Sequence, residues 1–180
     1  MKQRIASFFA IILFFLLPVM PAMAQSGTYT VVSGDSMWKI AVSYEIGLSE
    51  LIEANPQIAN PALIYPGQKI AIPNIDSVKQ LEQQVVDLVN AQRRQNGLSS
   101  LTHNWELSRV ARYKSQDMID KNYFSHTSPT YGSPFDMMKN FGIRYTAAAE
   151  NIAKGQNSPQ SVMNSWMNSS GHRTNIMASG

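Results

Sequence analysis

The chain has 180 residues, no cysteine and a formal charge of +3. The lack of cysteine excludes a fold held by disulfides, so packed cores must supply the stability. The length fits one ordinary domain, or one small and one medium domain. Lys2 and Arg4 lie in a segment that we expect to be removed, which leaves a charge of +1. The high overall pI is therefore no argument for a nucleic-acid partner.

Residues 1–24 have the three parts of a secretory signal: a positive start, a short apolar run and a small-residue end. These parts are Lys2 to Arg4, residues 5–17 and Ala22 to Ala24. An uncleaved membrane anchor is the alternative, but the run is short for a span and prolines interrupt its continuation. We therefore predict cleavage after Ala24. The mature chain would be secreted, extracellular or cell-wall associated, with no stable membrane span after cleavage.

Residues 28–73 are predicted to form a β-α-α-β unit. The pattern gives a strand at 28–32, a helix ended by Gly47, a helix capped by Ser49 and a strand at 69–73. Asp35 or Ser36 can cap the first helix, and Asn55-Pro56 terminates the second.

Three blocks in this unit resemble a LysM module over its whole length: Y-T-V-V-S-G-D-S-M-W-K-I-A, I-E-A-N-P-Q-I and L-I-Y-P-G-Q-K-I-A-I-P. The resemblance implies binding of peptidoglycan or a chitin-like N-acetylglucosamine polymer. In that family the sugar lies in a groove between the loop before the first helix and the loop after the second. The implied glycan-binding residues are Gly34, Asp35, Ser36, Met37, Asn55, Pro56, Gln57 and Ile58.

A physical argument agrees with this groove without naming its ligand. A neutral polysaccharide needs exposed backbone groups on rigid turns, with apolar side chains beneath the sugar rings. Gly34 and Pro56 help to present backbone in this way. The alternative is that each side chain only caps or ends a helix. Trp38 likewise either stacks on sugar or packs into the small core.

From residue 79 onward the pattern is mainly helical, and residues 74–78 are predicted to be a linker. One helix ends near Gly97, and a second spans residues 105–118 with Arg109, Arg112 and Asp117 on its outer side. Two Ser-Pro pairs, at Ser133 and Ser158, predict the starts of two further helices.

Three residues between these helices carry candidate chemistry: His126, Glu150 and His172. Histidine titrates near neutral pH and is a common metal ligand, so with a carboxylate it can hold a divalent ion or shuttle a proton. Spacing alone does not show that the three residues meet. For His172 the structural alternative is a helix start, in which Gly171 supplies the turn and Ser169 or Ser170 the cap.

The blocks N-A-Q-R-R-Q-N-G-L, S-H, E-N-I and W-M-N-S-S-G-H-R-T-N-I-M resemble the bacterial branch of the CAP superfamily, the SCP-like, cysteine-rich secretory proteins. The resemblance covers residues 79–177 and implies an α-β-α sandwich, so the predicted fold class is α+β. His126 matches the first histidine of the family cleft and Glu150 its first acidic residue. Ser169 stands where better-known members have a second glutamate, and His172 belongs to the bacterial G-H-R variant.

The resemblance also implies a divalent metal, such as zinc, held by His126, Glu150 and His172, and these three residues are the catalytic candidates. Family members usually continue past the N-I-M block, so we expect a CAP domain at 79–180 that is incomplete at its C-terminus.

These patterns predict a secreted, cell-wall-associated protein that binds glycan through its LysM module and uses its CAP domain as an interaction or ligand-binding unit. The alternative is a metal-assisted wall hydrolase or protease acting through the CAP cleft, and lipid or sterol capture follows from family analogy alone. Expected partners are peptidoglycan or a chitin-like glycan and wall or spore-envelope proteins, with no nucleic acid. The sequence does not separate a growing wall from a spore envelope.

Overall fold

The computed structural model describes residues 8–12 and 25–179, with side chains from residue 27 onward. The chain divides into two compact units, one ending at Lys79 and one running from Gln80 and including the strand at 8–12. Helices and strands are mixed, as the predicted α+β class requires. No helix among the described residues is both long and apolar enough to cross a membrane.

The first unit is a β-α-α-β fold, which confirms the predicted order of elements. Its elements are β2 (Gln25–Thr30), α1 (Met37–Ser43), α2 (Leu48–Glu53) and β3 (Lys69–Pro73). The two strands pair antiparallel in a two-stranded sheet. One apolar cluster fills the unit, with Ala41, Leu51 and Ile70 wholly buried. This packing stands in place of the absent disulfides.

The predicted boundary between the two helices of this unit is wrong. Gly47 does not end α1, because α1 ends at Ser43. The Ser49 side chain does not cap α2, because Gly47 is the N-cap of that helix. The turn is made by Glu45, whose φ is 52°. This left-handed residue lets the Ile46 amide donate to the Ala41 carbonyl at 3.0 Å, and it places the Ile46 side chain in the core.

The second unit holds most of the helix. Its elements are β1 (Phe8–Ile12), α3 (Asp76–Gln95, entering from the first unit), α4 (Trp105–Asp120), α5 (Pro134–Asn140), β4 (Ala148–Ile152), α6 (Pro159–Met167) and α7 (Ser170–Met177). Because α3 starts at Asp76, the predicted linker 74–78 overlaps its first turn. Ser133 and Ser158 form the capping boxes of α5 and α6, as the two Ser-Pro pairs predict. Gly97 has a φ of 73° and ends α3 in a left-handed turn.

Strand β4 lies between two helical layers. Ile152 packs in a cluster with residues of α4 and α5, whereas the neighbouring Ala153 packs with residues of α3, α6 and α7. Successive side chains along an extended chain point to opposite sides, so adjacent residues reach different clusters. This arrangement gives the α-β-α layering that the resemblance implies. It also sends Glu150 and Asn151 in opposite directions.

The described partner of β4 is β1, paired in parallel with Phe8 opposite Ala148 and Ile12 opposite Ile152. Residues 8–12 belong to the predicted signal, and the rest of residues 1–24 lies outside the described residues. Cleavage after Ala24 would remove β1 and leave this edge of β4 open to another strand.

The outer side predicted for α4 is wrong at two positions, and at the third, Arg112, the side chain is 15% exposed and pairs with Glu82. Arg109 and Asp117 are 6% and 7% exposed. The Arg109 guanidinium lies within 6 Å of three ring centroids, those of Trp105, Tyr113 and Phe141. Loops and α5 cover this side of the helix, so α4 buries more than the single stripe that its periodicity shows.

Candidate functional site

The first loop of the predicted glycan groove is rigid because its polar groups bond to one another. The Asp35 carboxylate accepts hydrogen bonds from the Val32 amide and the Tyr29 hydroxyl, both at 2.8 Å. Both hydrogen bonds lower the pKa of Asp35, and the bond from the Val32 amide has the larger effect. Lys39 Nζ donates to the Gly34 carbonyl at 2.6 Å, and the Ser36 hydroxyl caps α1. Asp35 and Ser36 therefore shape the loop with their side chains.

The second loop is held by Asn55, which is 1% exposed. Its amide nitrogen donates to the carbonyls of Leu51 and Ala71 at 2.8 Å, and its oxygen accepts from the Ala71 amide at 2.7 Å. Asn55 thus ties the end of α2 to β3. This fastening role was missed from the sequence, where Asn-Pro indicates only a helix end. Its buried side chain is a support for the groove and not a sugar-facing surface.

The remaining predicted groove residues divide into support and surface. Met37 is buried and Ile58 is partly buried in the same apolar cluster, so both loops rest on one core. Pro56 and Gln57 are exposed, with the Gln57 amide bonded to Asn55 Oδ1 at 3.0 Å. Trp38, next to the first loop, is 42% exposed and so presents part of its ring to solvent.

In the second unit, the structure joins His126 to Glu150. His126 Nδ1 lies 2.5 Å from Glu150 Oε2, with side-chain exposures of 55% and 5%. Burial raises the pKa of Glu150, although the His126 hydrogen bond and the charge of Lys114 oppose this rise. With the carboxylate ionised, Nδ1 donates the proton. A buried carboxylate that orients an exposed imidazole can support acid–base chemistry or ligand binding.

His172 lies close enough for the His126 charge to act on it. Burial lowers the pKa of His172, and the charge of His126 lowers it further. The ring centroid of His172 is 6.4 Å from that of Trp166, and its buried Nδ1 has no hydrogen-bond partner among the described residues. Asn151 Nδ2 donates to the His172 carbonyl at 3.1 Å. The backbone of α7 is thus tied to the residue after Glu150.

The predicted helix start at His172 is partly wrong. Ser169 occupies the N-cap position of α7, but no serine side chain makes a cap hydrogen bond there. Gly171 lies within the first turn, and its φ is not positive. A hydrogen bond to β4 holds α7 instead: Asn175 Nδ2 donates to Asn151 Oδ1 at 2.8 Å.

The part of the chain that the structure describes contains no group of three or more histidine, aspartate or glutamate residues that could hold a metal ion. His126 and Glu150 form a pair, and His172 is a neighbour of that pair. A divalent metal held by His126, Glu150 and His172 therefore stays a prediction.

Two buried charges next to the pair were missed from the sequence. Lys114 is 2% exposed, and its Nζ donates to the backbone carbonyl of His126. Asp117, one turn later on α4, accepts hydrogen bonds from Tyr123 and Ser128 at 2.6 Å and from Thr130. A charge pair at i and i+3 on a helix is the available sequence signal. That signal alone does not separate a solvated pair from a buried one.

A shallow pocket between α4, α5 and β4 reaches this charged group. Its walls include Val110, Met137 and Met138, and its polar end is formed by Lys114 and Glu150. The buried side of the His126–Glu150 pair therefore opens onto an apolar surface.

Comparison with known proteins finds both predicted domains. The profile of the CAP family, the cysteine-rich secretory protein family, matches residues 86–180, and that of the LysM domain matches residues 29–73. The uncharacterized protein YkwD of Bacillus subtilis (strain 168) is 61% identical over 101 residues, which cover 56% of this chain and 39% of YkwD.

Two further similarities cover part of the chain. The probable autolysin LDP of Staphylococcus aureus (strain NCTC 8325 / PS 47) is 43% identical over 60 residues, 33% of this chain and 21% of the autolysin. The crystal structure of an extracellular protein containing a SCP domain from Bacillus anthracis str. Ames matches with a TM-score of 0.54 and 36% identity, covering 62% of this chain and 40% of that one. The matched parts thus span less than two thirds of each relative.

Proposed function

The chain belongs to the cysteine-rich secretory protein family and carries a LysM domain, and from this premise we propose a secreted, cell-wall-associated glycan-binding protein. The LysM unit binds peptidoglycan or another N-acetylglucosamine glycan. The CAP unit is an interaction or ligand-binding unit centred on His126 and Glu150.

The observation that carries this proposal is the set of hydrogen bonds that holds both groove loops of the LysM unit in place. Asp35 and Lys39 fix the first loop, and the buried Asn55 fixes the second. A polysaccharide site gains affinity when its loops are already ordered, because little conformational entropy is then lost on binding. Similarity to a probable autolysin and to an extracellular SCP-domain protein supports a wall or extracellular location.

A matched pair of glycine variants tests the groove. Gly34 and Gly67 have φ values of 89° and 87°, and an added Cβ meets nothing within 4 Å at either position. Gly34→Leu and Gly67→Leu therefore impose similar backbone strain, but only Gly34 belongs to the predicted groove. We expect Gly34→Leu to weaken binding to soluble peptidoglycan fragments at least tenfold in calorimetry, and Gly67→Leu to weaken it much less.

Thermal unfolding of both glycine variants supplies the control for folding. Equal melting temperatures with unequal affinities support the groove at Gly34. Equal affinities for the two folded variants would contradict the groove assignment.

The second candidate function is a metal-assisted wall hydrolase or protease. The observation that favours it is the 2.5 Å contact of an exposed histidine with a buried carboxylate. It ranks second because the sequence shows no evident nucleophile–base pair and the acidic partner is single. His126→Ala should abolish any release of wall fragments or cleavage of peptide. His103→Ala is the control, since His103 is exposed and bonds to Ser108 at 2.9 Å.

A further inference from the structure

The loop that carries His126 is held mainly by polar contacts. It connects α4, which ends at Asp120, to α5, which begins at Pro134. Its side chains are largely exposed, including Phe124 at 43%, and only Ser128 is buried, at 3%. Apolar burial therefore gives this loop little of its fixed position.

Asp117 anchors the loop on both sides of His126. Its carboxylate accepts hydrogen bonds from Tyr123 on one side and from Ser128 and Thr130 on the other. Burial would raise the pKa of Asp117, but these three hydroxyls lower it below its ordinary value. Burial and the bond to Asp117 raise the pKa of Tyr123 to about 12, so the phenol stays a donor. Hydrogen bonds to an ionised acceptor are stronger than neutral ones.

Lys114 holds the centre of the same loop. Its Nζ donates to the His126 carbonyl and lies 5.9 Å from the ring centroid of Tyr123. Burial lowers the pKa of Lys114, while the negative charges of Glu150 and Asp117 oppose that change. An apolar side chain in this position would avoid the desolvation of a cation. The buried ammonium group instead supplies a hydrogen-bond donor to the His126 carbonyl, which a methionine or leucine could not supply.

We propose that Lys114 and Asp117 are positioning residues that hold the His126 loop so that Nδ1 faces Glu150 and Nε2 faces solvent. The inference rests on the proposed ligand-binding role of the CAP unit. Its chemical consequence is a single tautomer of the neutral imidazole, with the proton on Nδ1 and a lone pair on Nε2. The site would then offer a preoriented acceptor to a metal ion or to a ligand N–H or O–H group.

Histidine ¹⁵N NMR of the full chain tests the proposal, because the two tautomers of a neutral imidazole have distinct nitrogen shifts, and spectra are recorded at rising pH until those shifts no longer change. The chain has three histidines, so a His126→Gln spectrum assigns the signal. We expect the Nδ1–H tautomer in the unchanged chain. In Lys114→Met, the Nε2–H form should rise to at least a third of the population.

Lys139→Met is the matched control, because Lys139 is an exposed lysine of α5 whose charge acts on Asp136 and does not act on Asp117. It should leave the His126 spectrum unchanged. Thr130→Val gives a second variant in case Lys114→Met does not fold. It removes one hydroxyl from Asp117 near the loop surface and should produce a smaller shift toward Nε2–H.

A folded Lys114→Met chain with unchanged His126 nitrogens would overturn the proposal. If that variant does not fold, unchanged nitrogens in Thr130→Val would overturn it. None of the samples for these spectra contains glycan or metal. Failure of wall binding would therefore leave this result intact, and failure of the positioning proposal would leave the LysM result intact.

Discussion

The LysM unit and the CAP unit support their candidate sites in different ways. In the LysM unit, the first groove loop is fixed by bonds between residues three to six positions apart. In the CAP unit, Glu150 is 24 residues from His126 and Lys114 is 12 residues from it. The first loop of the LysM site is thus fixed within a short stretch of sequence, although Asn55 of its second loop bonds to Ala71, 16 residues away. The CAP site exists only after separate elements have packed together.

The difference predicts that core damage in one unit spares the other. Trp166 is 1% exposed, and its indole nitrogen donates to the Ile152 carbonyl at 3.2 Å. Trp166→Ala should lower the free energy of unfolding of the CAP unit by about 3–5 kcal/mol. Glycan binding should survive. Ile70→Ala, in the LysM core, is the reciprocal variant and should abolish binding first. Loss of glycan affinity in folded Trp166→Ala chains would break the comparison.

Removing residues 1–24 should destabilise only the CAP unit. The chain that begins at Gln25 lacks β1, so β4 loses a parallel partner along Ala148 to Ile152. Each lost strand hydrogen bond should lower stability by roughly 0.5–1.5 kcal/mol. Denaturant unfolding followed by Trp166 fluorescence, in a background without the other two tryptophans, measures the change. An unchanged CAP transition would show that the β1 pairing contributes nothing to stability.

Acid should weaken the CAP unit through Asp117. Its pKa is lowered in the fold, so its stabilisation is present above the unfolded value near 3.8 and is lost as the pH falls through the folded value. The titratable groups that interact with it are Lys114, Lys121, Tyr123 and Tyr131, and the charge of Glu150 acts on Lys114 and Tyr123.

Asp117→Asn should lower the free energy of unfolding by about 2 kcal/mol at pH 7. The difference from the unchanged chain should shrink below about pH 4. Denaturant unfolding at pH 7 and pH 3 measures both differences, with Asp120→Asn as the exposed control. A difference that does not depend on pH would contradict the assigned role of the Asp117 charge.

The smallest expected effects come from a matched pair of helix caps. The hydroxyl of Ser36 accepts from the Lys39 amide in α1, and that of Ser158 accepts from the Ser161 amide in α6. Each serine-to-alanine change should cost about 1 kcal/mol. The loss should lie in the LysM transition for Ser36 and in the CAP transition for Ser158. An effect of either change on the other unit would indicate coupling between them.

Local sequence signals predicted the features that local contacts determine. The Ser-Pro pairs fixed the starts of α5 and α6 because a cap needs only neighbouring residues. The β-α-α-β order and both family resemblances were also available from short motifs. Ser49 was a failure of the same method, since the N-cap of α2 is Gly47, two residues earlier, next to the buried Ile46.

Features set by distant packing could not be predicted in this way. Asn55, Arg109, Lys114 and Asp117 carry polar side chains that single-sequence periodicity assigns to surfaces or helix ends. Each is buried because another element covers it and supplies partners. The pairing of His126 with Glu150 likewise depends on how β4 lies against the loop after α4. The family resemblance indicated those two residues but not the buried charges behind them.

The most direct test of the central claim incubates the purified chain with insoluble peptidoglycan, with and without added zinc. Protein in the pellet and fragments released into solution are measured together. The account predicts that the chain pellets, that Gly34→Leu pellets much less than Gly67→Leu, and that no fragments are released. A chain that stays in solution would contradict glycan binding. Zinc-dependent release that disappears in His126→Ala would instead make the CAP cleft an active site.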